Sequence, residues 1–294
     1  MRIFVTGATG FIGSAVVREL IDAGHRVAGL ARSDKSAAAL TAAGADVHRG
    51  ALDDLDSLRG GAAAADGVIH LAFIHDFSNF AAAAETDRLA IEAIGEALEG
   101  SGKPFVVTSG TLMLAPGRLG TEEDAAMPTA HRRSEEAAMA LVKRGVRSSI
   151  VRLSPSVHGP GDYGFIPTLI EIARAKGVSA YIGDGSNRWP AVHRLDAARL
   201  FRMAVEGAAA GARLHAVGDE GVPLREIAAI IGRRLNLPVA GISQEEAADH
   251  FGWLSFAASV DNPTSSALTQ ERFGWLPEHA SLISDLEQGH YFED

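Results

Sequence analysis

The sequence predicts an α/β protein with a doubly wound parallel sheet, followed by a smaller α/β portion. Short apolar runs alternate with longer stretches in which apolar residues recur at helical spacing. A glycine-rich turn at 6–13 joins the first apolar run to the first helical stretch. Because repeated strand–helix alternation places helices on both faces of a parallel sheet, this order of elements favours the doubly wound architecture.

The first half contains most of the predicted sheet. Its strands are apolar runs, and its helices end at glycines such as Gly44, Gly100 and Gly145, which are typical stop signals. The predicted strands cover 2–5, 26–30, 46–48, 67–72, 104–108 and 146–153. The predicted helices cover 11–23, 33–43, 54–60, 85–99 and 131–144.

The second half keeps the alternation but is less regular. A loop rich in glycine and proline follows the sixth strand at 155–162. Helices are predicted at 166–176, 196–205 and 223–235, and a short strand at 214–217. Pro223 is typical of a helix start. The residues from 243 onward are predicted as helix and loop.

Composition excludes several classes of protein. The chain has 294 residues and no cysteine, which excludes disulfide frameworks, thiolate zinc sites and a catalytic cysteine. Its 27 basic and 37 acidic residues give a net charge of −10, which disfavours nucleic acid and anionic membrane surfaces as partners. Neither a signal peptide nor a membrane-spanning run is recognisable, so we expect a cytoplasmic protein.

The glycine-rich turn is the strongest motif. Thr6-Gly7-Ala8-Thr9-Gly10-Phe11-Ile12-Gly13 directly follows the first strand and opens the first helix. Gly7 permits a tight turn, Gly10 lets the backbone approach a pyrophosphate, and Gly13 allows the helix to pack closely on the strand. The helix N-terminus adds free N–H groups for phosphate. This context favours dinucleotide binding over a plain strand–helix turn.

Further motifs identify a family resemblance. They are His70-Leu71-Ala72, Val151-Arg152-Leu153-Ser154-Pro155, residues 157–161, residues 183–190, and Val192-His193 with Asp196. Together with the glycine turn, they make the chain resemble the extended branch of the short-chain dehydrogenase/reductase superfamily, the epimerase/dehydratase-like group.

The resemblance implies two domains and a homodimer. It implies a Rossmann dinucleotide-binding domain of 1–155, to which 186–217 returns, and a smaller substrate-binding portion of 156–185 and 218–294. The small-molecule substrate would lie in the cleft between them. The helices predicted at 85–99 and 131–144 would form the dimer interface.

The end of the second strand indicates which dinucleotide binds. The usual acidic partner of the ribose is replaced by Ala31, and Arg32 and Ser33 follow. A guanidinium suits a 2′-phosphate, so we expect NADP rather than NAD, although Asp34 could face the ribose. The resemblance extends the expected cofactor-binding set to the residues Gly7, Thr9, Gly10, Phe11, Ile12, Leu52, Asp53, Leu71, Ala72 and Pro155.

The catalytic positions depart from the family pattern. The resemblance implies a Tyr and a Lys four residues apart on one helix, but His131 and Glu135 occupy these positions. A hydroxyl is expected after the fifth strand, and Thr111 is the candidate. In one interpretation His131 transfers the proton and Glu135 orients it or raises its pKa. In others, His75, Asp76 or Tyr163 serves, or no redox chemistry occurs.

The expected substrate site is largely apolar and aromatic. Its candidate residues are Phe73, His75, Tyr163, Arg188 and Trp189. Arg188 is the basic group that relatives would use for a diphosphate, but the aromatic lining suits a small apolar carbonyl compound. No metal-ligand spacing occurs; His193 is expected to pack or hydrogen-bond, and residues 122–124 to form a solvated acidic loop.

Three functions are therefore compatible with the sequence. The first is an NADP(H)-dependent oxidoreductase acting on a small carbonyl or alcohol. The second is a non-catalytic NADP(H)-binding redox sensor, which the missing Tyr–Lys pair favours. The third is a nucleotide-sugar epimerase or dehydratase, which the same loss disfavours.

Overall fold

The computed structural model describes residues 1–75, 79–112, 114–126 and 132–293. It confirms the α/β fold with a central seven-stranded sheet. The strands are Arg2–Thr6 (β1), Arg26–Ala31 (β2), Asp46–Arg49 (β3), Gly67–His70 (β4), Pro104–Gly110 (β5), Arg147–Leu153 (β6), Ser156–His158 (β7), Ser179–Ile182 (β8), Arg188–His193 (β9), Arg213–Ala216 (β10), Asp219–Pro223 (β11) and Val239–Ile242 (β12). The helices are Phe11–Asp22 (α1), Asp34–Ala42 (α2), Leu55–Ala63 (α3), Phe80–Leu98 (α4), Ser134–Val142 (α5), Phe165–Lys176 (α6), Arg194–Gly207 (α7), Leu224–Leu235 (α8), Ala247–Phe251 (α9), Ser255–Ser259 (α10), Ala267–Phe273 (α11) and Leu282–Gln288 (α12).

The order of strands in the large sheet creates a natural binding edge. The order is β10-β6-β5-β4-β1-β2-β3. Strand β1 pairs in parallel with both β2 and β4, so the winding direction reverses between β1 and β4. Thr6 lies opposite His70 at this reversal. In doubly wound sheets, ligands bind outside the carboxyl ends of the strands at such a switch point.

Helix α4 shows how the sequence selects its buried face. Buried residues recur at 83, 84, 87, 90, 91 and 94, which is the spacing of one helix face. Ile91 and Ile94 pack in the same core cluster as Phe4 and Phe105 of the sheet. The helix begins at Phe80, earlier than predicted, because the alanines that follow are strong helix formers. Asp87 is the charged member of this otherwise apolar face.

The chain divides into two compact units. Unit 1 comprises 1–109, 126–152 and 197–214, and unit 2 comprises 110–125, 153–196 and 215–294. Residues 186–196 belong to unit 2, where β9 is the central strand of the β11-β9-β7 sheet. The segment 110–125 also belongs there, because Gly120 pairs with Thr264.

Unit 2 has its own core. Trp189 and Trp275 are both fully buried. The indole N–H of Trp189 donates to the carbonyl of Ala257, and that of Trp275 donates to the carbonyl of Asp196. A three-stranded sheet, a β12-β8 pair and helices α6 and α8 surround the Trp189 cluster. Within the described ranges, no helix has the length and apolar character needed to cross a membrane.

Candidate functional site

The glycine turn packs tightly against the end of β4. Gly7 has φ +67°, and a Cβ atom on it would lie 2.7 Å from the backbone nitrogen of Ala72. A Cβ on Gly13 would lie 2.0 Å from the carbonyl oxygen of Gly7. These two positions therefore require glycine, the first for both its backbone angle and its space and the second for close packing. The turn closes with a hydrogen bond from the Gly10 N–H to the Gly7 carbonyl (3.0 Å).

The start of α1 offers backbone donors at this turn. Gly10 is the N-cap residue, and it has no side chain with which to cap the first-turn N–H groups. Thr9 is exposed, and Gly10, Phe11 and Ile12 are half-buried. The turn thus places backbone N–H groups at the positive end of a helix dipole, an arrangement that suits a pyrophosphate.

The end of β2 presents an unpaired arginine. Arg32 is exposed, and among the described residues no carboxylate forms an ion pair with it. The carboxylate of Asp34 is instead 2.7 Å from Arg49. The Ser33 hydroxyl accepts the N–H of Ser36 and caps α2, so Ser33 already has a structural partner. The positive charge at this end of the site therefore remains available for a phosphate.

Two further positions of the expected set flank this strand end. Leu52 is half-buried and packs against the core of the large sheet, and Asp53 is exposed. On the other side of β1, Leu71 and Ala72 are half-buried, and their backbone N–H groups donate to the carbonyl and hydroxyl oxygens of Thr6. The predicted cofactor residues within 1–109 thus line the carboxyl ends of β1, β2 and β4.

A buried polar network begins beside the glycine turn. The Thr6 hydroxyl is 2.9 Å from Nδ1 of His70, and Nε2 of His70 is 3.3 Å from Oδ1 of Asp87. The hydroxyl also accepts the N–H of Ala72. The imidazole of His70 thus links the residue that precedes the glycine turn to the buried Asp87.

The network continues to Arg132. Nη2 of Arg132 donates to Asp87 (3.3 Å) and to the Thr108 carbonyl (3.1 Å), and Nε donates to Ser134 (2.7 Å). The Ser134 hydroxyl donates to Asp87. Burial opposes ionisation of Asp87, but the hydrogen bond from His70 and the charge of Arg132 outweigh it and lower the pKa of this carboxyl to about 2. Asp87 is therefore an ionised carboxylate.

Sequence reasoning overlooked Asp87 and Arg132. The signal for Asp87 is its position on the apolar face of α4, since a buried acid requires a partner. No such signal exists for Arg132, which lies outside the regular elements and has the exposed Arg133 beside it.

Glu135 pairs with two arginines. Its Oε1 accepts hydrogen bonds from Arg152 (2.5 Å) and Arg213 (2.7 Å), and its Oε2 accepts a second one from Arg152 (3.0 Å). The Arg152 side chain is 0% exposed. The Glu135 carboxylate therefore compensates the charges of the buried Arg152 and the partly exposed Arg213. The expectation that Glu135 orients His131 stays a prediction. His131 itself lies outside the described residues.

Thr111 is buried after β5. Its backbone N–H donates to the Leu153 carbonyl (2.9 Å), whereas its hydroxyl has no hydrogen-bond partner in the described part of the chain. A buried hydroxyl without a partner is uncommon in folded proteins, so Thr111 remains a candidate for contact with a ligand. Pro155 is half-buried between β6 and β7.

The predicted substrate residues do not share one environment. In unit 1, the rings of Phe73 and His75 contact each other edge to face at 5.3 Å. In unit 2, Tyr163 is 73% exposed. Arg188 forms two hydrogen bonds with Asp261 (2.9 and 2.8 Å), so its charge is already compensated. Trp189 is fully buried, which corrects its assignment to a pocket lining, because its ring belongs to the core of unit 2.

The acidic loop also differs from its prediction. Glu122 is 3% exposed, and its Oε1 accepts the N–H and the hydroxyl of Thr269. The loop is therefore not wholly solvated as predicted, because Glu122 holds α11. Asp124 is bound by Arg118 instead.

A histidine-rich cluster lies elsewhere in unit 2. Ligand atoms of His193, Asp196 and His279 lie within 4.8 Å of one another. However, Asp196 already accepts two backbone N–H groups and Nδ1 of His279 (2.9 Å). The two imidazole rings are stacked at 12°, so their lone pairs lie in nearly parallel planes. His193 is buried and accepts the N–H of Leu195, as expected of a packing residue.

Comparison with known proteins agrees with this architecture. The model of the NAD dependent epimerase/dehydratase family matches residues 3–217. The uncharacterized protein C2A9.02 of Schizosaccharomyces pombe is 54% identical over 295 residues, which cover 99% of this chain and 100% of that protein. The 2-alkyl-3-oxoalkanoate reductase of Stenotrophomonas maltophilia is 27% identical, and the match covers 77% of this chain and 73% of the reductase.

Solved structures share the fold. The dTDP-glucose 4,6-dehydratase DesIV from Streptomyces venezuelae, crystallised with NAD and TYD bound, has a TM-score of 0.80 at 20% identity, and the match covers 99% of this chain and 97% of DesIV. At that identity the likeness concerns the fold alone, whereas the family match and the relative from Schizosaccharomyces pombe span most of the sequence. The chain therefore belongs to the NAD dependent epimerase/dehydratase family.

Proposed function

We propose that this protein is an NADP(H)-dependent oxidoreductase that interconverts a small, largely apolar carbonyl compound and its alcohol. The observation that carries the proposal is the glycine turn at the switch point, where Gly7 and Gly13 leave no room for a side chain. Membership of the family and the related reductase of Stenotrophomonas maltophilia support redox chemistry. The cofactor would supply or accept the hydride at its nicotinamide ring.

The chain's own residues would bind the cofactor and position the substrate beside it. Backbone N–H groups at the start of α1 hold the pyrophosphate, and Arg32 pairs with the 2′-phosphate of NADP. The ion pair of Asp34 with Arg49 supports NADP over NAD, because it keeps the Asp34 carboxylate on a cation rather than on a ribose hydroxyl. Phe73 and His75 follow β4, where the substrate is expected.

Calorimetric titration with NADPH, NADP+, NADH and NAD+ tests the proposal on the wild type and on Arg32→Ala. We expect NADPH to bind the wild type more tightly than NADH. In Arg32→Ala the affinity for NADPH should fall about tenfold or more, which corresponds to the loss of one charged contact, while the affinity for NADH should stay unchanged. Lys35→Ala, an exposed cation three residues further on, is the matched control and leaves both affinities unchanged. Equal binding of NADH and NADPH in the wild type contradicts NADP specificity.

Turnover separates the enzyme from a redox sensor. We expect NADPH-dependent reduction of at least one compound in a panel of small ketones and aldehydes, and loss of that activity in His131→Ala if His131 supplies the proton. Tight NADPH binding with no turnover across the panel would favour the sensor. Sedimentation of the intact protein tests the expected homodimer.

A further inference from the structure

Arg132 is the partly exposed end of the buried network. Its side chain is 23% exposed, whereas that of Asp87 is 0% exposed. Nε and Nη2 donate to Ser134, Asp87 and the Thr108 carbonyl, and these bonds fix the plane of the guanidinium. No described residue accepts a hydrogen bond from the remaining nitrogen, Nη1. The network therefore fixes the Arg132 guanidinium in place and leaves Nη1 as a donor that no described residue uses.

This donor lies at the carboxyl ends of β4 and β5. The Arg132 Cζ atom is 4.1 Å from the centroid of the Phe73 ring, three residues after β4. Nη2 of Arg132 also donates to the carbonyl of Thr108, near the end of β5. Through Asp87 and His70 the same network reaches Thr6, the residue that precedes Gly7. Arg132 thus stands at the edge where ligands of doubly wound sheets bind.

We propose that Arg132 binds the reacting oxygen of the carbonyl substrate through Nη1, while the Phe73 ring packs against the substrate's apolar part. This inference rests on the proposed function. One free nitrogen favours a single oxygen atom over a carboxylate, which arginine usually grips with two parallel hydrogen bonds. The nearby Asp87 offsets the charge of the guanidinium, so the site suits a neutral carbonyl better than an anion.

The chemical role follows from where charge develops. During reduction a hydride bonds to the carbonyl carbon, the π electron pair of the C=O bond moves to oxygen, and the oxygen then takes up a proton to become a hydroxyl. A donor already fixed in place stabilises the oxygen as it becomes negative. Arginine stays protonated in proteins, so Arg132 orients and stabilises, and a separate acid must supply the proton.

A non-reducible carbonyl analogue tests the contact directly. Benzamide is titrated calorimetrically into NADPH-saturated wild type and into Arg132→Lys, Arg132→Gln and Arg133→Gln. We expect benzamide affinity to fall about tenfold in Arg132→Gln, the loss of one hydrogen bond from a charged donor, and by less in Arg132→Lys. Arg133→Gln is the matched control, since Arg133 is exposed and paired with the exposed Glu136, and it leaves the affinity unchanged.

A double variant guards against misfolding. Arg132→Gln alone leaves the buried Asp87 carboxylate without its cation, whereas Arg132→Gln with Asp87→Asn removes both charges. In the wild type, benzamide is expected to shift the NMR resonances of the His75 ring, which contacts Phe73. In the double variant this shift should disappear, while the affinity for NADPH should stay within about twofold of that of the wild type. The reason is that the lost contact is to the analogue and not to the cofactor.

Two results overturn the inference without touching the proposed function. One is benzamide binding that is as tight in Arg132→Gln or the double variant as in the wild type. The other is failure of benzamide to bind the NADPH-saturated wild type at all. Failure of NADPH itself to bind the wild type would instead remove the proposed function, and the inference with it.

Discussion

Replacing Glu135 by glutamine tests whether this residue is structural or catalytic. The Glu135→Gln substitution keeps the shape of the side chain but removes the carboxylate that accepts two hydrogen bonds from Arg152. The Arg152 side chain is 0% exposed and that of Arg213 is 26% exposed. Two arginines then face an uncharged amide, and the more deeply buried one cannot recover its hydration.

The magnitude follows from the burial. Removing one partner of a buried ion pair typically costs about 3–5 kcal/mol, because the remaining charge stays buried without compensation. For a chain of this size that loss lowers the melting temperature by roughly 10 °C. A double variant, Glu135→Leu with Arg152→Met, removes both charges and is expected to recover much of the loss, since apolar replacements of buried pairs are often well tolerated.

The assay is equilibrium urea unfolding followed by far-UV circular dichroism. Glu136→Gln is the matched control, because Glu136 is the next residue on α5 and its pair with Arg133 is exposed. We expect Glu136→Gln to unfold at the same urea concentration as the wild type. The structural interpretation is refuted if Glu135→Gln behaves like Glu136→Gln in unfolding, or if it loses turnover while its stability is unchanged.

Three further predictions concern other parts of the chain. Gly13→Ala places a Cβ 2.0 Å from a backbone carbonyl of the same turn, so it should weaken NADPH binding in calorimetry and lower the stability of the fold. Gly60→Ala is the control and should do neither, because its added Cβ meets nothing within 4 Å. Burial and two neighbouring histidines lower the pKa of His193 to about 4, whereas the unfolded chain binds that proton near pH 6.5. The free energy of unfolding should therefore fall as pH drops from 6.5 to 4, and His193→Asn should flatten that slope in urea titrations. Thr111→Val removes a buried hydroxyl that has no partner among the described residues, so stability should not fall, while carbonyl reduction should fall if the hydroxyl contacts substrate.

The sequence predicted the large sheet well because most of its strands are buried on both faces, as in β1 and β4. Strands β1 and β2 extend one residue beyond their predicted ends, and helix α1 begins at the predicted residue. Apolar runs bounded by glycine leave little ambiguity about such elements. The glycine turn was predictable for the same reason, since its spacing and its position after β1 both follow from the sequence.

The strands of unit 2 were missed because they carry no comparable signal. Strand β7 has three residues, β8 and β12 have four each, and β11 begins with an acid, an acid and a glycine. Such short segments become strands through pairing with one another or with β9, which is a tertiary effect.

Some charged residues of the site can be singled out from the sequence, and others only from the folded chain. Arg32 could be named as a candidate because its position is defined by the end of one strand. Glu135 and Asp87 lie on helices, and their partners come from other parts of the sequence. A buried charge can be suspected from an apolar helix face, but its partner is identified only in the folded chain.

The positions of the tryptophans determine what a fluorescence experiment can report. All three, Trp189, Trp253 and Trp275, belong to unit 2, and unit 1 has none. Two of them are fully buried, so their emission should change strongly when unit 2 unfolds. Intrinsic fluorescence is thus a natural reporter of unit 2 alone, and circular dichroism senses both units. A difference between the two unfolding curves would measure how far the units unfold independently, without any added label.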